Sequence, residues 1–279
     1  MGLVMRWPHG PSHSWARNNG RMHPNPKRRF EPIYSMAVGA GRVFFGGVLQ
    51  LRPKITGAEA IPKTGPAVLA ITHFGYMDFA LVEWVAWLRT RRRVRYMVTK
   101  RAADKPVVGW LLSQMRHIPV DMSAGRDAYT NAVAALTSGE VLGVFPEAGV
   151  SASFTVRELK TGAVRMAAAA GVPVIPVVVW GGQFLRTKNH RASFREAFKA
   201  PIRVSIGKPM RVSESDDPVE ATAALRTELE TLLAEAQATY PRSGEGQWWQ
   251  PAHLGGSAPT REAAAEMEAE RQRKRAAER

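Results

Sequence analysis

Apolar residues in this chain are grouped into short blocks. Ala67-Val68-Leu69-Ala70-Ile71 is an unbroken apolar run behind Gly65-Pro66, the pattern of a strand buried on both faces. Comparable runs recur at 96–99, 117–121, 141–145, 172–179 and 202–206. The segments between them, at 79–88, 106–115, 128–136 and 160–170, mix apolar and polar positions as helices do, and Gly139 and Gly171 close two of them. A longer helix is predicted over 219–238, where Leu225, Leu229, Leu232 and Leu233 share a face. Strands alternating with helices predict an α/β fold: a single domain with a mostly parallel central sheet flanked by helices. Ligands of such sheets bind beyond the carboxyl ends of the strands. His73, Asp121 and Glu147 all stand at strand ends and so can share one cleft.

The flanks read differently. Residues 1–32 form a basic arm without periodicity, ending in Lys27-Arg28-Arg29. Residues 33–52 are apolar and glycine-rich, with Arg42 at the centre. A central arginine is costly in a spanning helix, so an N-terminal membrane-associated, interfacial amphipathic helix is expected, with a helix packed on the domain as the equal alternative. The domain proper is read as 53–241. Residues 242–279 are read as a linker, containing Trp248-Trp249, and a charged, solvated helical tail.

Composition narrows the partners. The chain has no cysteine, which excludes a disulfide framework and a thiolate metal site. A formal charge of +15 implies an anionic partner: nucleic acid, membrane surface or phosphorylated ligand. Seven cations between Arg89 and Arg101, with no acid among them, read as an anion-facing patch. No nucleic-acid recognition motif accompanies the charge, so a surface of anionic lipids is the expected partner.

The chemistry centres on His73 and Asp78. If the loop between them folds back, the aspartate can hold one imidazole nitrogen and leave the other free to take a proton from a hydroxyl. The spacing alone also fits a surface histidine beside a helix N-terminal aspartate. His73-x4-Asp78 is followed by Val120-Asp121, by Phe145-Pro146-Glu147 and by Val172-Pro173-Val174-Ile175-Pro176-Val177. This order, with Lys160-Thr161-Gly162-Ala163 and Ile206-Gly207-Lys208-Pro209, resembles the glycerolipid (1-acylglycerol-3-phosphate, or lysophosphatidic acid) acyltransferases over residues 55–209.

The resemblance implies acyl transfer from a coenzyme A or acyl carrier protein thioester to a lysophospholipid hydroxyl, in phospholipid biosynthesis. His73 would be the general base and Asp78 its orienting partner, with no metal and no cofactor beyond the thioester co-substrate. It implies acceptor contacts from Phe145, Pro146, Glu147 and Gly149, and from Lys100, which falls at a family lysine position. The pattern is not complete. Thr72 and Gly75 stand where the family has Asn and Ser. Met122 and Val150 stand where it has arginines, and Ala148-Gly149 where it has Gly-Thr. Arg116, Arg126, Arg157 and Lys160, each near a motif, are the candidates to replace the missing arginines. Another lysolipid or a glycolipid is the alternative acceptor. From other classes, Gly149-Val150-Ser151-Ala152-Ser153 approaches a serine hydrolase elbow without its final glycine, and charge alone suggests a nucleic-acid-binding protein. The expected location is the cytoplasmic face of the cell membrane, peripheral or monotopic.

Overall fold

The structure, a computed structural model, describes residues 30–120 and 125–277. Residues 1–29 of the N-terminal arm, Asp121 and Met122 lie outside the described residues, whereas Glu31, expected in the arm, is buried and paired to Arg95. In chain order the elements are α1 (Pro32–Arg42), running into a π-helical turn (Val43–Val48), β1 (Lys54–Thr56), β2 (Ala67–Ile71), α2 (Asp78–Thr90), β3 (Val94–Thr99), α3 (Lys100–Ala103), α4 (Pro106–Gln114), β4 (Ile118–Val120), α5 (Gly125–Thr137), β5 (Val141–Val144), α6 (Gly162–Ala170), β6 (Val174–Trp180), α7 (Phe194–Ala197), β7 (Arg203–Ile206), α8 (Pro218–Ala238) and α9 (Arg261–Ala277).

The strands form one seven-stranded sheet in the order β1-β7-β6-β2-β5-β3-β4. Five are mutually parallel, from β6 to β4, while β7 runs antiparallel to β6 and β1 follows β7. Every residue of β2 is fully buried, which is why its sequence is continuously apolar rather than alternating. The chain leaves β2 toward β3 and later crosses from β5 to β6 on β2's other side. The end of β2 is therefore a switch point, where the sheet leaves a crevice.

Two flanking segments depart from the sequence reading. The segment after 241 is not a linker: Trp249 is 4% exposed and packs on fully buried Trp180, on Tyr240 and on Phe184. Aromatic rings in contact leave no periodic signal in the sequence, yet each buries a large apolar area. The tail forms α9, which is tied down by Arg261 on Thr155 and Glu230, by Lys188 on Glu268 and by Arg271 on Asn189. It is not simply solvated.

The N-terminal helix is fixed to the core. Tyr34 is fully buried, with its hydroxyl 2.8 Å from Glu83 Oε2 and 2.7 Å from the Val94 carbonyl. Phe45 stacks on Trp84. The opposite face leaves Met36, Val43, Phe44 and Val48 exposed, and neighbouring α4 exposes Val107 and Trp110. Among the described residues no helix is long and apolar enough to cross a membrane.

Candidate active site

His73 lies two residues beyond β2, and Asp78 opens α2. The loop does fold back. Asp78 is fully buried, and its Oδ2 accepts hydrogen bonds from Phe74 N (2.8 Å) and Gly75 N (2.7 Å). These bonds curl the loop around the carboxylate and bring Oδ2 to 3.5 Å from His73 Nδ1. That distance is long for a hydrogen bond, as is common before a substrate tightens a catalytic pair. The imidazole keeps 17% exposure, so Nε2 is the nitrogen left for a reacting group. Burial pushes the Asp78 carboxyl above the usual carboxylate range, while His73 and the two backbone N–H groups pull it back.

The loop has no room to spare. A Cβ on Gly75 would lie 2.6 Å from the Gly182 carbonyl oxygen, so a serine there would displace backbone. Thr72, which stands for the expected asparagine, is buried and its Oγ1 accepts from Val179 N at 3.3 Å. Both departures from the family pattern are therefore packing solutions of this chain. The segment after β6 seals the loop's other side: Tyr76 N donates to Arg186 O, and Thr187 Oγ1 donates to Phe74 O.

β5 supplies the facing wall. Its register pairs Ala70 with Val144, which brings residues 145–147 alongside 71–73. The Phe145 ring lies 4.2 Å from the His73 ring at an interplanar angle of 31°. Glu147 is 3% exposed; Oε1 accepts from His73 N (2.9 Å) and Oε2 from Arg157 N (3.0 Å). Burial raises it to about 7 against the pull of those two N–H groups and the Arg157 charge. The structure gives Glu147 a backbone-clamping role beside the acceptor contact that the resemblance implies. Both oxygens are spent on backbone, so Glu147 clamps the His73 loop to the loop after β5.

The other expected residues are spread out. Pro146 is buried, and its carbonyl accepts from Lys160 N, while the Lys160 side chain is exposed. Gly149 sits beside Arg157, whose Nη1 would be 2.9 Å from a Cβ placed there. Lys100 opens α3 and Arg126 lies in the first turn of α5, both exposed at the carboxyl end of the sheet. Arg116 is at the wrong end. It precedes β4 and pairs with Glu140 (3.1 Å) and Glu31 (3.5 Å), so it belongs to an ion network below the strands. The same network absorbs much of the expected anion-facing patch: Arg95 binds Glu31, Glu140 and Met115 O, and Arg92 binds the carbonyls of Gly65 and Gly139.

Val150, at the usual arginine position, is 3% exposed and points into the core. Ser151 is fully buried, and its hydroxyl donates to Thr155 O, which removes it as a hydrolase nucleophile. Lys188 is the functional candidate that sequence reasoning missed. It stands outside every motif and reaches the site only because residues 186–188 run along the His73 loop.

Residues 52–180 match the family model described as Acyltransferase. The chain is 26% identical over 167 residues to the chloroplastic 1-acyl-sn-glycerol-3-phosphate acyltransferases of Arabidopsis thaliana and Brassica napus. The matched stretch is 58% of this chain but 44% and 46% of those proteins, so the chain spans less than half of their length. The crystal structure of the 1-acyl-sn-glycerophosphate acyltransferase PlsC from Thermotoga maritima shares the fold. Its TM-score is 0.61 at 22% identity, over 75% of this chain and 81% of that one. The family match runs from ahead of β1 to the end of β6 and takes in both walls of the crevice around His73; over residues 52–180 this chain is similar to the acyltransferase family.

Proposed function

We propose that this protein transfers a fatty acyl group from a coenzyme A or acyl carrier protein thioester to the free hydroxyl of a lysophospholipid, 1-acylglycerol-3-phosphate first, in phospholipid biosynthesis. The observation that carries the reading is His73 Nδ1 facing a buried carboxylate while Nε2 faces the crevice. Nε2 takes the hydroxyl proton as the oxygen attacks the thioester carbonyl. The tetrahedral intermediate collapses with cleavage of the C–S bond, and the thiolate takes that proton back. A thioester is already activated, so the proposal uses no metal and no further cofactor. The structure has apolar space for a few methylenes of the acyl chain near the site. An apolar cavity of about 160 Å³ lies between α1 and α2, walled by Phe45, Phe79, Trp84, Tyr96, Leu111 and Met115. Phe79 adjoins Asp78, and the Tyr96 ring stacks on Phe145, which covers His73.

The test is turnover of labelled acyl-CoA with a panel of lysolipids by the full chain and by His73→Ala. The expected result is an acylated lysolipid from the native protein only, with both proteins melting alike. Near-native turnover by His73→Ala, or thioester hydrolysis without an acylated acceptor, would sink the reading.

The membrane is the source of such an acceptor. The exposed face of Met36, Val43, Phe44 and Val48, beside Val107 and Trp110 of α4, supports peripheral docking on a lipid surface. Cosedimentation with vesicles containing anionic lipid should fall at least tenfold in a Val43→Asp/Phe44→Asp double variant. Undiminished binding would place the docking surface elsewhere.

A further inference from the structure

Two cations flank Gly149 at the edge of the crevice. A Cβ on Gly149 would find Arg157 Nη1 at 2.9 Å and Lys188 Nζ at 4.0 Å, so the guanidinium and the ammonium converge on one small volume. Both are wired to the catalytic loop. Arg157 donates its backbone N–H to Glu147, which holds His73 N. Lys188 follows Thr187, whose hydroxyl holds Phe74 O. That volume already has an anion beside it. Glu268, on α9, puts Oε2 2.6 Å from Lys188 Nζ, with the two side chains 22% and 14% exposed. The Lys188 hydrogen bond, together with the charges of Lys188, Arg157 and Arg271, holds the Glu268 carboxyl below the usual range, so it is a carboxylate facing three cations. Among the described residues the Arg157 guanidinium has no hydrogen-bond partner of its own.

We infer that Lys188 and Arg157 form the subsite for the phosphate monoester of the acceptor, and that Glu268 occupies it as a stand-in anion that the acceptor displaces. The inference rests on the acyl-transfer reading for the acceptor's identity and deepens it. The family-type arginines are absent at Met122 and Val150, and a phosphate needs charge-assisted donors. Arg157 supplies a planar fork and Lys188 a point charge, the usual division of labour at a phosphate. Lys188 and Glu268 both lie outside the matched span of residues 52–180, Lys188 between β6 and β7 and Glu268 on α9. Loss of the Glu268 pair on acceptor binding would leave α9 held by Arg261 on Thr155 and Glu230 and by Arg271 on Asn189. The acidic helix thus selects for an acceptor with enough charge to replace a carboxylate.

The test titrates sn-glycerol 3-phosphate, the headgroup without its chain, into the full-length protein by calorimetry, alongside steady-state kinetics with lysophosphatidic acid and monoacylglycerol. Glu268→Gln keeps an acceptor for Lys188 but removes the competing charge. It should bind glycerol 3-phosphate at least fivefold more tightly and lower the KM for lysophosphatidic acid. Lys188→Ala should weaken binding at least tenfold and depress kcat/KM tenfold more for lysophosphatidic acid than for monoacylglycerol. A Lys188→Ala/Glu268→Gln double variant, which leaves no unpaired carboxylate, serves if the single alanine variant does not fold. Unchanged binding in both single variants, or equal kinetic losses on the two acceptors, overturns the subsite while leaving acyl transfer standing. Binding of inorganic phosphate as tight as glycerol 3-phosphate overturns the headgroup assignment. Absence of acylation with every acceptor defeats the acyl-transfer reading, and the titration still decides whether the subsite exists.

Discussion

The two ends of the parallel sheet both bury charge, and they use it in opposite ways. At the amino-terminal end, Arg95 sits between Glu31 and Glu140, Arg116 adds contacts to both acids, and Arg92 is spent on two carbonyls. Acid meets base there, and the buried cations Arg92 and Arg95 are spent on protein groups. At the carboxyl-terminal end, the buried acids Asp78 and Glu147 accept from backbone N–H groups, with the partly exposed His73 beside Asp78 and the Arg157 charge near Glu147. Carboxylates held by peptide dipoles position a loop without neutralising a cation, and a cation left unneutralised is available to substrate. A buried charge network is therefore structural or functional according to what satisfies it, not according to how many charges it holds.

Crossing two substitutions should separate the ends most widely. In Asp78→Asn the amide oxygen can still accept from Phe74 N and Gly75 N, so stability should move by about 1 kcal/mol. What is lost is the negative charge that stabilises the imidazolium. At 3.5 Å and an effective dielectric of 20 that attraction is about 5 kcal/mol, which corresponds to a drop in kcat on the order of 10³-fold. Arg95→Ala should do the reverse. It strands Glu31 and Glu140 in a buried site and should cost about 3–5 kcal/mol of unfolding free energy. The kcat of the protein that stays folded should fall far less than in Asp78→Asn. Denaturant titration and initial rates on both variants check this. Comparable kinetic losses in the two would mean that the ends are coupled and the contrast is false.

Much of this contrast was out of reach of the sequence. The strand of residues 67–71 and the helix after it were legible because Gly65-Pro66 and the apolar run mark them locally, and they put His73 at a strand end. The alternation of strands and helices likewise predicted the parallel sheet, though not the antiparallel β7 edge. Which charges face which end depends on register. Arg95 and Lys100 are close in sequence, but β3 carries one to the sheet's amino end and the other to its carboxyl end. The acceptor contact expected of Glu147 came from the family resemblance of Phe145-Pro146-Glu147; its backbone partners follow from the β2–β5 pairing, which no local pattern encodes. Lys188, Glu268 and the packed Trp249 escaped because each is placed by a chain segment distant from the motifs.

Each end also holds one glutamate that burial raises to about 7: Glu83, beside Val94 N at the start of β3, and Glu147 beside His73 N. In both, the folded protein binds a proton more tightly than the unfolded chain, whose glutamates titrate near 4.5. The unfolded state therefore holds fewer protons between about pH 4.5 and 7. The contribution of these groups to stability is fully present below that window and is lost as pH rises through 7. His117 works the other way. It is buried and lowered to about 4, so it adds stability as pH rises toward 6.5, and the native curve alone does not isolate the glutamates. Glu83→Gln does. Glu83 Oε2 takes both Val94 N and the Tyr34 hydroxyl, while Oε1 has no partner, so a glutamine oxygen can replace Oε2 and leave its amide at the vacant position. The variant's stability relative to native should rise by on the order of 2 kcal/mol from pH 5 to pH 8 and level off above that. Glu147→Gln offers no such relief, because its amide N–H would face either His73 N–H or Arg157 N–H. At the site end the same substitution should therefore lower stability at both pH values, and chemical denaturation of the two variants at pH 5 and pH 8 measures the difference. A Glu83→Gln curve parallel to native would show that Glu83 is ionised throughout this range.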